Sequence, residues 1–242
     1  MNELTGAEWI AVRSRTVTLA GLFTLSLLAW LYLLSGAGIE PMTGMAGMAP
    51  GWPLVAAMWS AMMVAMMVPS AAPAILLYAT VHRRSQDSPP PTGAFLAGYL
   101  ACWIGFSLLA AQLQIAATSP MSMALESGMV SGALLVAAGL YQLSPLKDAC
   151  LGRCRSPAQF LARNYRPGAV GAARLGLLHG AYCLGCCWLL MALLFVVGVM
   201  NLAWVAALTL LVAAEKLLPG GPWISRVSGI LLIGWGAFVL LS

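Results

Sequence analysis

The 242-residue sequence predicts an all-α fold: a bundle of seven membrane-crossing helices in one domain, with a cytoplasmic amino terminus. Three observations predict it. Charged residues make up only 8% of the chain and hydrophobic ones 61%, with a mean hydropathy of +0.90, whereas roughly a quarter of residues in soluble domains are charged. Apolar runs of membrane-crossing length, about 20 residues each, use most of the chain and leave no connection long enough for a second domain. All 12 basic residues fall on one side of the seven-span arrangement, which the positive-inside rule makes the cytoplasm. Sorted in this way, the net charge of +5 points to the bilayer of the cell (inner) membrane as the surface contacted, and not to nucleic acid.

The elements follow in order. Arg13 and Arg15 precede a first helix over 16–34; that run is longer than the apolar stretch of a signal peptide, so it reads as a retained span. A stretch without Lys or Arg then carries Met42, Met45 and Met48 among small residues. The second helix, 52–80, contains Met58, Met62, Met63, Met66 and Met67 and is interrupted by Pro69 and Pro73. After Arg83, Arg84 and the run Pro89 to Pro91 come a third helix over 94–116, with Cys102, and a fourth over 125–143. The longest connection, 144–174, holds Lys147, Arg153, Arg155, Arg163, Arg166 and Arg174 together with Cys150 and Cys154. Within it Ser156-Pro157 predicts a helix start, with Phe160, Leu161 and Tyr165 lying on the bilayer surface. Helices over 175–199, 202–218 and 223–241 complete the bundle, and Glu215 and Lys216 read as an interfacial pair.

The chemistry concentrates on the fifth helix. At about 100° per residue, His179, Cys183, Cys186 and Cys187 share an arc of roughly 100°, so all four look toward one neighbour. Thiol and imidazole at membrane depth are costly and normally line a bundle interior or a site. The remaining soft donors divide by side: Met42, Met45 and Met48 outside, where thioether resists oxidation, and Cys150 and Cys154 inside, where the cytosol keeps thiols reduced. Cys102, Met66 and Met67, Met62 and Met58 would lie between them, at depths of about 12 to 33 Å from the inner end, and form a ladder of ligands. Thiol and thioether favour copper(I), with zinc second, and the scarcity of carboxylates argues against Ca²⁺, Mg²⁺ or Mn²⁺. Ordinary packing is the competing account of the methionine stripe and of Cys102.

Several blocks carry a resemblance to a known family: Ala65-Met-Met-Val-Pro-Ser70, Gly98-Tyr-Leu-Ala-Cys-Trp103, Tyr141-Gln-Leu-Ser-Pro-Leu-Lys147 with Cys150 and Cys154-Arg155, Gly185-Cys-Cys-Trp-Leu-Leu-Met191, Met200-Asn-Leu-Ala-Trp204, and Glu215-Lys216 with Pro219. From the second helix onward the chain resembles a family of integral membrane proteins predicted to bind metal, for which no substrate or reaction follows from the resemblance.

Three functions compete. The first is a copper(I) handler that moves the ion between the outer methionines and the inner cysteines, with a metallochaperone or metalloenzyme as partner. The sequence has no P-loop and no Asp-Lys-Thr-Gly phosphorylation signature, so no ATP-driven step is expected. The second is a membrane thiol-disulfide oxidoreductase that uses Cys183 and Cys186. The third is a structural subunit of a membrane complex, in which the cysteines only pack.

Overall fold

The computed structural model describes residues 6–36, 51–85, 91–117, 128–198 and 201–241. Met42, Met45 and Met48 lie outside the described residues, as do Met121 and Met123. Among the described residues all regular structure is helical: α1 (Gly6–Leu34), α2 (Trp52–Ser85), α3 (Thr92–Ala117), α4 (Gly128–Gln142), α5 (Pro145–Arg155), α6 (Pro157–Asn164), α7 (Gly168–Ala192), α8 (Leu194–Val197), α9 (Leu202–Leu217) and α10 (Gly221–Leu241).

Each of the seven expected spans has a helix at its place, but among the described residues five helices are long and apolar enough to cross a membrane, or up to six if the bent pair α4 and α5 makes one span. Two of the expected spans are short: α4 has 15 residues and α9 has 16. The long helices overrun their predicted limits at one end. α2 continues past Thr80 to Ser85, and α7 starts at Gly168 rather than Leu175.

The prolines do not break α2. Pro69 has no N–H to offer the carbonyl of Ala65, and the hydroxyl of Ser26 on α1 donates to that carbonyl instead at 3.3 Å. Glycine sets the closest approaches. A Cβ at Gly98 would run into the Ala173 carbonyl and one at Gly176 into the Phe95 carbonyl, so α3 and α7 touch backbone to backbone. Gly132 and Gly139 face Gly236 and Gly229 in the same way and join α4 to α10. Around these pairs α1 packs along α2, α2 meets α3 and α9, and α5 lies on α7. Large apolar side chains such as Phe23, Leu109, Leu210, Ile230 and Phe238 point outward.

The connection expected as a loop over 144–174 is two helices. Ser144 caps α5, its hydroxyl accepting from the backbone N–H of Lys147, and α5 turns by 61° from α4. Pro157 opens α6, at the start expected from Ser156-Pro157. Phe160 and Leu161, expected on the bilayer surface, are buried against the bundle instead, and the Tyr165 hydroxyl lies 3.0 Å from His82 Nδ1. The reason is the protein surface that α2 and α7 offer: Phe160 packs on His179 and Tyr182 of α7, and Tyr165 meets Tyr78 and His82 of α2, so α6 turns its apolar face to the bundle.

Candidate metal centre

The cysteines of the expected arc point inward. Cys183, Cys186 and Cys187 are all buried, because α7 lies between α3 on one side and α5 on the other. The Cys186 and Cys187 thiols each donate to the Cys183 carbonyl at 3.0 Å, the back-bond open to a polar side chain three or four residues along a helix. Cys154, one helix away on α5, brings its thiol to those of Cys183 and Cys186. Two further cysteines flank the group. Cys150 Sγ abuts Gly185, where a Cβ would stand 2.9 Å away, and Cys102 of α3 packs on Gly180. The small residues Gly180 and Gly185 therefore let sulfur approach α7 from both sides. All six cysteines are free thiols.

Lys216 and Tyr99, which sequence reasoning had not placed here, complete the group together with Met67 of the expected ladder. Lys216, expected at the membrane interface, is buried, with its ammonium 2.8 Å from Cys183 Sγ, 3.4 Å from Ser70 Oγ and 3.9 Å from Met67 Sδ. The Tyr99 hydroxyl donates to the Met67 carbonyl at 3.0 Å and lies 3.2 Å from Cys183 Sγ. Of the α2 methionines, Met67 is the one tied to the cluster in this way; Met62 and Met66, proposed as ladder ligands, are buried in the core. For Tyr99 and Lys216 the only hint in the sequence was that both fall within the blocks quoted above.

Glu215 also turns inward. Its carboxylate pairs with Lys147 at 2.6 Å and accepts from Gln142 Nε2 at 2.8 Å, and both charged side chains are essentially inaccessible at 0% and 1%. Lys147 donates to Gln142 Oε1 as well, and Arg155 donates to the Glu215 and Pro219 carbonyls. Opposite charge and full hydrogen bonding make this buried pair tolerable. Cys183 is thus within reach of the last turn of α9, from which Lys216 extends to it.

His179 sits one turn before Cys183, 3% exposed, ringed by Phe95, Tyr99 and Phe160, and its Nδ1 has no hydrogen-bond partner. Among the described residues no set of three or more His, Cys, Asp and Glu stands in metal-holding geometry. The hydrogen bonds account for that: two thiols are folded onto the Cys183 carbonyl and an ammonium occupies the Cys183 sulfur.

A family model described as PpoB2, copper chaperone, matches residues 56–239. The chain belongs to that family. The matched copper-chaperone segment contains every cysteine, His179, Met67, Tyr99 and Lys216, and begins beyond α1. No curated protein and no solved structure matches the chain.

Proposed function

We propose that this protein is an integral membrane copper chaperone that carries copper(I) as cargo on the thiols of Cys154, Cys183, Cys186 and Cys187. The single observation that carries the reading is the meeting of the Cys154 thiol of α5 with Cys183 and Cys186 of α7, beside the Met67 thioether of α2. Soft donors from three helices converge on one point, and copper(I) is the abundant cellular ion that prefers such donors and accepts as few as two of them. Rotation of Cys186 and Cys187 about χ1 releases their sulfurs from the Cys183 carbonyl and turns them toward the ion. His179 Nδ1, buried and unpartnered, supplies a further donor one turn away, and Cys102 and Cys150 flank the route.

In this reading seven spans place the amino terminus and the basic end of the bundle in the cytoplasm, with Met42, Met45 and Met48 outside as the first or last ligands of the cargo. Zinc is the second choice of ion, and a metallochaperone or metalloenzyme is the partner that gives or takes it. The test is metal analysis of anaerobically purified protein. Copper(I) is expected in the wild type and lost in the variant with Cys154, Cys183, Cys186 and Cys187 changed to Ser. A wild type that holds no copper but forms a reversible Cys183–Cys186 disulfide would instead make it a thiol oxidoreductase.

A further inference from the structure

Lys216 is a buried cation without a carboxylate. Among the described residues the only ion pair is Lys147 with Glu215, so the acidic neighbour of Lys216 on α9 is already taken. What Lys216 touches are two soft donors and a hydroxyl: Cys183 Sγ at 2.8 Å, Met67 Sδ at 3.9 Å and Ser70 Oγ at 3.4 Å. A purely structural ammonium would be expected on carbonyls or a carboxylate. This one stands between a thiol and a thioether from different helices, in the position that a thiophilic cation would bridge.

We propose that Lys216 is a tethered cation filling the cargo position of the thiol cluster, so that copper(I) binds only as the ammonium leaves Cys183 and is released as the ammonium returns. The inference rests on the copper reading above and adds how the same site lets go. Two unit positive charges cannot share one sulfur inside a low-dielectric bundle without strong repulsion. The lysine side chain suits the exchange, with one compact charge on a flexible four-carbon stem. Ser70 of α2 already accepts from it, which gives the ammonium a second partner when it leaves the sulfur. A chaperone must surrender its cargo, and an internal competitor weakens binding without removing a ligand.

The test compares copper(I) affinity of the full chain in detergent, by competition with a chromogenic copper(I) chelator, for wild type and Lys216→Leu. Leu keeps an apolar stem, removes the charge and adds no donor atom for copper(I). Displacement predicts copper held more tightly by K216L, by about tenfold or more, and surrendered more slowly to the chelator. Equal or weaker binding by folded K216L overturns the proposal and makes Lys216 a counter-ion or a packing residue.

A second measurement needs no variant. The sequence contains two lysines, Lys147 and Lys216, so ¹⁵Nζ-lysine labelling yields two ammonium signals. One equivalent of copper(I) should abolish the exchange protection of the Lys216 signal and leave that of Lys147, held by Glu215, unchanged. A Lys216 signal that stays protected in the copper-loaded protein overturns the proposal. If the wild type binds no copper at all, it is the copper reading that has failed.

Discussion

Lys147, Glu215 and Lys216 show how much a single charged side chain decides in an apolar bundle. Glu215 and Lys147 are removed from water together and hold each other through an ion pair and through Gln142, so neither can be lost singly. Glu215→Gln leaves Lys147 as a buried charge without its partner. It should cost about 3–5 kcal/mol, read as a lowered midpoint of unfolding in detergent. The double variant Lys147→Met, Glu215→Leu should recover most of that loss, because it strands no charge. If E215Q unfolds at the wild-type midpoint, the pair is not buried as described. The same pair has a second effect: by satisfying Glu215 it leaves Lys216 free to turn the other way, onto sulfur.

At the scale of elements, the cluster exists because α3, α5 and α7 approach one another unusually closely. Gly98, Gly176 and Gly180 let α3 and α7 approach closely, and a Cβ at Gly176 would collide with backbone, which cannot swing aside as a side chain can. Gly176→Ala should therefore push the two helices apart at a cost of about 1–3 kcal/mol. Tyr99, on α3, spans the seam to both Met67 and Cys183, so the same variant should loosen the cluster as well. The readout is Cys102: faster maleimide labelling is expected in G176A than in wild type, and an unchanged rate would show that the seam can absorb a methyl group. Helices α5 and α6 belong to this scale too. Their apolar faces are short, and the middle of α7 gives them a surface to cover: Cys150 of α5 meets Gly185, and Phe160 of α6 meets His179 and Tyr182.

At the scale of the molecule, the reading is a bundle with one basic end, and the thiol cluster sits at that end rather than at its middle. The odd number of spans in the proposed topology has a direct consequence. An alkaline phosphatase fused after residue 242 should be active and a green fluorescent protein at the same place dark, which puts the carboxyl terminus outside. The reverse pattern would mean an even count, with α4 and α5 or α9 failing to cross. In that topology the half-buried Cys150 and Cys154 of α5 lie between the buried thiols and the cytoplasmic surface, which suits exchange with a cytoplasmic partner.

Much of this was legible in the residues alone. Helical class, the positions of the seven principal helices and the inward arc of His179, Cys183, Cys186 and Cys187 follow from hydropathy and from a period of 3.6 residues, both local properties of the chain. Helix ends were less legible: the extra turns of α2 and α7 carry His82 and Arg174, polar residues that look like the end of a span, and only in the structure is His82 seen to be buried beside Tyr165 while Arg174 stays exposed. The company kept by the thiols was not legible at all. That Cys154 of α5 reaches Cys183, that Met67 rather than Met66 lies beside them, and that Lys216 donates to sulfur instead of reaching for water depends on how far each helix slides along its neighbour. Backbone contact at the glycine seams sets that slide. A sequence determines which face of a helix must be hidden from its surroundings; only the packed bundle decides what each hidden side chain meets.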